Sequence, residues 1–436
     1  MAPQSRRQLG DRVYVLGVGM SPFLKPNPKR DYPQMGLEAG TKALLDAGIT
    51  YDEVEQGFAC YAYGDSTSGQ RVFYQFGMTG IPIINVNNAC TTGSSGLYLA
   101  RQSLSLGGAD IALGLHAEKM FDLNPNSEPG NISLFGNAGL EYIEKLAEIA
   151  RVNHLNSAKN PYSQFQTIYT LDEIKKSPAL YGPVTKLQCC PTSDGAAAAV
   201  LVSERWLHKH PEHQSKAIEI AGQAIVTDQA ETFGSSSMDL VGFQMTKRAV
   251  VAALAEANTP VARVGVCELH DCFAANELAT IDALGLCEPG KAGQFVRSGN
   301  ISHGGRVVVN PSGGLISKGH PLGATGLAQC AELVWQLRGW ANNRLAPYTT
   351  VALQHNLGLD GVAVVSVYKR ADGLANAPMT DNEVSGVSGV SYNPATEVRQ
   401  VTVEQIKSVL SRPHNNQWVR VGGRGGDLEA SFLARI

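Results

Sequence analysis

The sequence predicts a layered α/β protein built as two related halves, and three observations carry that expectation. Short β-rich runs alternate with helical stretches along the chain, the pattern of α/β layering. Strands such as Val362 to Val367 are apolar at successive positions, which suits sheets covered on both faces. Three local features also occur twice in the same order, the mark of an internal duplication.

The first repeated feature is an opening strand, Arg12 to Met20, with a counterpart in Ala217 to Ile225; both are short β-rich runs containing glycine. The second is a turn, a helix and a strand. Cys90-Thr-Thr-Gly-Ser-Ser-Gly96 leads into a helix over Leu97 to Leu106 and a strand over Asp110 to Leu115. Its counterpart runs from Gly323-Ala-Thr-Gly326 through Leu327 to Leu337 and into Thr350 to Gln354. The third is a closing strand that begins Asp-Gly and ends in arginine, Asp194 to Arg205 and Asp360 to Arg370. The stretches Ser95 to Ser105 and Gly326 to Arg338 are mostly apolar or small around their circumference, as helices held between sheets are. The halves are then 1–215 and 216–371, the first carrying an insertion at about 121–190 that has no partner in the second. Residues 372–436 begin with a Gly-, Ser-, Asn- and Pro-rich stretch, Ala371 to Pro394, that reads as a linker to an extension of unknown role.

Composition narrows the function. A chain of 436 residues exceeds one compact core and is divided into two or three units. Lys plus Arg at 36 against Asp plus Glu at 39 leaves a net charge of -3, which argues against a nucleic-acid footprint. No apolar run approaches the length of a membrane span. Eight cysteines are too sparse for a disulfide scaffold and lack a paired CxxC spacing for zinc, so free thiols are expected. Arg6, Arg7 and Arg12 form a weak organelle-targeting start, and the terminal Ala434-Arg435-Ile436 loosely resembles a peroxisomal tripeptide.

Four segments hold residues suited to chemistry. In Asn87-Asn-Ala-Cys90 a strand runs into a sharp turn, and the small residues that follow place the Cys90 sulfur at a helix N-terminus. There the helix dipole favours thiolate and backbone N–H groups are at hand for an oxyanion, although such turns also serve packing alone. Gly313 to Gly326 sets His320 in a glycine-rich loop ahead of a helix, with a spacing that fits neither a phosphate-binding P-loop nor a dinucleotide fingerprint. His270-Asp-Cys272 follows a strand, and a cysteine beside a histidine has its pKa lowered toward neutrality. His355 to Gly361 offers the Asn356 amide and the Gly358 N–H as hydrogen-bond donors, or is a plain turn. Cys189-Cys190 is read as packing at a loop end.

Together and in this order, these segments resemble the thiolase family, most closely its sterol carrier protein 2 branch, from Arg12 to Arg370. The motifs are the cysteine turn, His-Asp-Cys-Phe at 270–273, Gly-His-Pro-Leu-Gly-Ala-Thr-Gly at 319–326 and Asn-Leu-Gly-x-x-Gly at 356–361. Most thiolases have Asn-Glu-Ala-Phe where this chain has His270 to Phe273, and a second catalytic cysteine where it has Asn356. The resemblance implies two βαβαβαββ halves in a five-layered αβαβα arrangement, with the inserted loop domain holding coenzyme A. It implies coenzyme A-dependent cleavage of 3-ketoacyl-coenzyme A in fatty-acid or branched side-chain β-oxidation. Cys90 is then the nucleophile, His320 its activator and an oxyanion donor, and Cys272 the acid/base that replaces the missing cysteine. His270 supports one oxyanion hole, and the N–H groups of Cys90 and Gly358, with Asn356 nearby, serve another. It further implies no permanently bound cofactor and no metal, a homodimer or tetramer, and a peroxisomal or else mitochondrial location. A condensing synthase and a turnover-less scaffold are the rival readings; Cys272 separates this chain from the first and the intact quartet from the second.

Overall fold

The computed structural model describes residues 10–118, 133–134, 137–138, 143–234, 236–359 and 361–412. The first half supplies strands β1 (Val13–Met20), β2 (Gln56–Cys60), β3 (Ile83–Val86), β4 (Ile111–Glu118) and β7 (Gly195–Ser203). The second supplies β8 (Ile218–Thr227), β9 (Val264–Glu268), β10 (Val308–Val309), β11 (Val351–Gly358) and β12 (Val362–Arg370). They form one hydrogen-bonded sheet in the order β10-β9-β11-β12-β8-β1-β7-β4-β2-β3. Counted within its own half, each set runs third, second, fourth, fifth, first.

The strand directions repeat as well. The second strand is parallel to the third and fourth in both halves, and the fifth is antiparallel to the fourth and first. The halves meet where β1 pairs with β8, Tyr14 opposite Glu219 and Val15 opposite Ile218. The expected duplication is therefore present down to strand polarity, although the two sheets share a hydrogen-bonded seam.

The helices Thr92–Ser105 and Thr325–Arg338 pack on each other, and each touches strands of both halves. Tyr32–Ala47 covers β1, β4 and β7 from the other side, as Phe243–Glu256 covers β8 and β12. Five layers in the order αβαβα result. Every residue of Thr325–Arg338 is buried, as its sequence predicts. Thr92–Ser105 is less enclosed: Leu99 is 37% exposed. This helix also begins five residues before the expected start at Leu97. Thr, Gly and Ser are poor helix formers, but small residues are needed there by the crossing. A Cβ on Gly93 would stand 2.4 Å from the Gly323 carbonyl oxygen, and one on Gly326 would stand 2.2 Å from Ser94 Oγ.

The described part of the insertion comprises the helix Ile143–Ser157, the short helix Leu171–Lys176 and a hairpin of β5 (Ala179–Tyr181) and β6 (Val184–Thr185). Residues 119–132, 135–136 and 139–142, which fall in or beside the expected loop domain, lie outside the described residues. Leu146, Ile149 and Ala150 join the same core cluster as Cys272 and Leu315, so the insertion's long helix is part of the wall around the site. Tyr162, in the insertion, is buried with its ring 5.5 Å from that of Trp335.

The stretch after β12 differs from the expected linker. Val384, Val390, Tyr392 and Ala395 are buried, and the Asn376 amide bonds Gln336 O, Ala346 O and Thr349 N. Its Asn376 and Asn393 side chains satisfy backbone groups of the body, which compositional reading takes for loop character. Residues 413–436, with the terminal tripeptide, lie outside the described residues, as do 1–9.

Candidate active site

β3 ends at Val86 and the chain turns sharply into the helix that starts at Thr92. Ala89 takes φ of 47°, a left-handed backbone that an alanine adopts only under constraint. The turn is tied by Thr91 N–H and Thr91 Oγ1 to the Asn88 carbonyl and by Thr92 Oγ1 to the Ala89 carbonyl. The constraint sets Cys90 at the head of the helix, 7% exposed.

The close glycine crossing brings the second loop to it. His320 Nε2 lies 3.3 Å from Cys90 Sγ. Thr325 Oγ1 donates to the Pro321 carbonyl at 3.0 Å, which leaves its oxygen to accept from His320 Nδ1–H at 2.7 Å. His320 Nε2 is then a lone pair facing the thiol, the tautomer a base requires. Burial, helped by the neighbouring Lys318 charge, pushes the His320 pKa down to about 3, so the ring is neutral in the free protein. Thr325 escapes sequence reading because it looks like any helix-start threonine; its five-residue separation from His320 is the signal that it offers.

His270 meets His320 edge to face, ring centroids 5.1 Å apart. Asn356 Nδ2 donates to His270 Nδ1 at 3.0 Å, so the His270 proton sits on Nε2. That Nε2 is buried without a hydrogen-bond partner among the described residues, a donor held ready. Burial, with His320 and His355 nearby, keeps His270 well below the usual histidine value and hence neutral. Cys90 Sγ and one nitrogen each of His270 and His320 lie within 4.8 Å of one another. Asn356 stands one step behind, its Oδ1 accepting from Ser94 Oγ at 2.9 Å. Gly358 lies against the cysteine turn, where a Cβ would be 3.1 Å from Asn88 O and Thr91 Oγ1.

Cys272 departs from the expectation of a lowered pKa. Although it precedes the helix Ala274–Ala283 and follows His270, burial pushes its thiol well above the ordinary value, and the nearby Cys190, Cys90 and Asp271 add to the rise. The His270 ring is committed to Asn356, and the described hydrogen bond to Cys272 Sγ is a long one from Asn276 Nδ2, 3.9 Å. Desolvation outweighs the dipole here. Cys190, read as packing, hydrogen-bonds the Cys272 carbonyl through its N–H at 2.9 Å, so the end of the insertion is fastened to Cys272.

A buried polar frame lies beneath. Asp271 accepts from Leu315 N–H at 2.7 Å, from Ile316 N–H at 3.3 Å and from Asn153 Nδ2 at 3.0 Å. His154 and Ser157 of the same helix bond Ser317, and Asn156 bonds the Asn310 carbonyl. Lys318 pairs with Glu268 at 3.3 Å. Residues of the insertion thus hold the loop that presents His320. A cavity of about 1090 Å³ between Phe243–Glu256 and Asp282–Gly290 is lined by none of these groups.

The thiolase C-terminal domain-like family matches residues 228–369. Sterol carrier protein 2 of Bos taurus is 49% identical over 401 residues, 84% of this chain and 73% of that protein. Among solved structures, the Ltp2-ChsH2(DUF35) aldolase superposes with a TM-score of 0.72 at 20% identity, covering 83% of this chain and 99% of that one. Human mitochondrial 3-ketoacyl-CoA thiolase does so with a TM-score of 0.65 at 17% identity, with the same coverages of 83% and 99%. Duplicated fold, signature segments and close relatives agree: the chain belongs to the thiolase family of acyltransferases, in its sterol carrier protein 2 branch.

Proposed function

We propose that the chain is a 3-ketoacyl-coenzyme A thiolase. The observation that carries this reading is the Cys90 thiol at 3.3 Å from a neutral His320 whose other nitrogen is anchored by Thr325. In the proposed cycle His320 takes the Cys90 proton, and the thiolate attacks the 3-keto carbon. Negative charge gathers on the former carbonyl oxygen, where His270 Nε2–H and the His320 N–H just formed serve as donors. The bond between carbons 2 and 3 then breaks, leaving an acyl thioester on Cys90 and an enolate of the coenzyme A fragment. Cys272 gives its thiol proton to carbon 2 and releases acetyl- or propionyl-coenzyme A. A second coenzyme A thiol, deprotonated in the same site, attacks the acyl thioester, with its oxyanion at the N–H groups of Cys90 and Gly358. The coenzyme A thiol proton restores the Cys272 thiol, the free Cys90 thiolate takes back the proton held on His320, and the shortened acyl-coenzyme A leaves.

The raised pKa of Cys272 supports its part, because an acid must arrive protonated. Coenzyme A is a co-substrate in this reading, bound in part by the insertion, and the enzyme works as a homodimer or tetramer in fatty-acid or branched side-chain β-oxidation. A peroxisomal location, with a mitochondrial one as the alternative, goes with this reading. The test is an assay with acetoacetyl-coenzyme A and longer 3-ketoacyl-coenzyme A. Cleavage should require free coenzyme A and vanish in Cys90→Ala, while Cys272→Ala should lower kcat by about 10²–10⁴, the usual span for a general acid/base. Full activity in Cys272→Ala removes the proposed proton step.

A further inference from the structure

Cys90 Sγ and the nearest nitrogens of His270 and His320 are buried together within 4.8 Å. A thiolate with two imidazoles is a donor set that takes zinc, yet the same three groups are asked above to bind an oxyanion. Which of the two they accept turns on one proton. With hydrogen on Nε2, His270 offers a donor; with hydrogen on Nδ1, it offers a lone pair.

That proton is placed by a chain of hydrogen bonds reaching back through the core. Gln354 Nε2 faces the Gly326 carbonyl at 2.7 Å, and a backbone carbonyl only accepts, so the nitrogen end of this amide is fixed. Tyr368 Oη–H donates to the opposite end, Gln354 Oε1, at 2.5 Å. The second Gln354 Nε2 proton is shared between Ser94 Oγ at 3.0 Å and Gln329 Oε1 at 3.3 Å, and the shorter bond to Ser94 turns the Ser94 hydroxyl proton toward Asn356 Oδ1 at 2.9 Å. Asn356 is thereby left with its Nδ2 facing His270 Nδ1 at 3.0 Å. All five residues are buried, so water does not compete for these bonds.

We propose that Tyr368, Gln354 and Ser94 form a one-way hydrogen-bond relay that, through Asn356, holds His270 as its Nε2–H tautomer, so that the Cys90 cluster accepts an oxyanion and refuses a divalent metal. Ser94, Gln354, Tyr368 and Asn356 are positioning residues, acting through His270. The oxyanion half of the statement rests on the thiolase reading; the tautomer and the metal refusal do not. Asn356→Asp reverses the last link. An aspartate of the same shape still accepts from Ser94, but its second oxygen needs the proton of His270 Nδ1. The ring then turns its Nε2 lone pair to Cys90 and His320, with the carboxylate behind it as in zinc-bound histidines.

The test uses the full chain with ¹⁵N-labelled histidine and long-range ¹H–¹⁵N correlation to read the tautomer, followed by titration with Zn²⁺ or Co²⁺ alone. Wild type should show His270 protonated on Nε2. Asn356→Asp should show it protonated on Nδ1 and bind one Zn²⁺ per chain about tenfold or more tighter than wild type, the scale of such supporting interactions. Its Co²⁺ form should have a thiolate charge-transfer band that Cys90→Ala removes. Ser94→Ala, which keeps Asn356 but loses the hydroxyl that orders it, should show both tautomers and an intermediate Zn²⁺ affinity. An Nδ1-protonated His270 in wild type overturns the proposal without any variant. Equal Zn²⁺ affinity in wild type and Asn356→Asp overturns it too, and an unaltered tautomer in Ser94→Ala removes the relay. Tautomer and affinity are read without turnover, so a failed thiolysis assay leaves them standing, and their failure leaves the thiolysis assay standing.

Discussion

His320 and Cys272 are shifted in opposite directions by the same cause, burial. In the proposed cycle His320 has to be neutral to accept the Cys90 proton, and a pKa of about 3 keeps it neutral as pH falls well below the ordinary histidine value of about 6.5. In the same cycle Cys272 has to be protonated to act as an acid, and its raised pKa keeps it so as pH rises. Both shifts move the limbs of the rate profile outward. We therefore predict that kcat/KM for thiolysis is flat from about pH 6 to pH 8.5. An acid limb centred near the ordinary histidine value would show that water reaches His320 in the free protein. The loops that carry Cys90, His320 and Cys272 were legible at this scale because each sits beside strong turn signals. Thr325 and Ser94 were not, since their roles depend on which acceptor faces them, and that is decided by residues up to 262 positions away.

At the scale of elements, the site exists because two helices approach more closely than side chains allow. A Cβ on Gly93 falls 2.4 Å from the Gly323 carbonyl oxygen, a distance that backbone cannot yield cheaply. Gly93→Ala should therefore force the Cys90 helix away from the His320 loop. The expected cost is about 1–3 kcal/mol of stability by denaturant titration, with a larger fractional loss of kcat than of substrate affinity. Unchanged kcat would show that the 3.3 Å Cys90–His320 approach tolerates the shift. The sequence made the loops visible but misplaced the start of Thr92–Ser105, because helix propensity and the packing of a crossing favour different residues. The insertion was recognised as unpaired in the repeat. That its Asn153, His154 and Asn156 brace the His320 loop was hidden, since polar residues on an amphipathic helix ordinarily mark its wet face.

Across the whole molecule, the halves are joined by more than the β1–β8 seam. Arg338, closing the helix Thr325–Arg338, places Nη1 2.8 Å from Asp46 Oδ2 in the outer helix Tyr32–Ala47 of the other half. Its Nη2 reaches the Leu16 carbonyl at 2.7 Å and its Nε the Lys216 carbonyl at 2.8 Å. Asp46 in turn accepts from Val18 N–H beside the irregularity in β1 between Val15 and Gly17. Arg338→Leu strands a buried carboxylate and should cost about 3–5 kcal/mol, lowering the urea midpoint of the whole chain in one transition. Two separate transitions would mean that the halves fold independently. The duplication itself was readable from doubled strands and Asp-Gly endings, because burial on both faces imposes long apolar runs. Long-range pairs such as Arg338 with Asp46 leave no such periodic trace.

The proposed cycle passes an acyl group through Cys90. Intact-protein and peptide mass spectrometry after mixing the chain with a 3-ketoacyl-coenzyme A in the absence of free coenzyme A tests this directly. The predicted result is the mass of the shortened acyl group, located on the peptide carrying Cys90, lost when coenzyme A is added and missing in Cys90→Ala. An unmodified chain under conditions where added coenzyme A supports cleavage, or an acyl group on another residue, contradicts it.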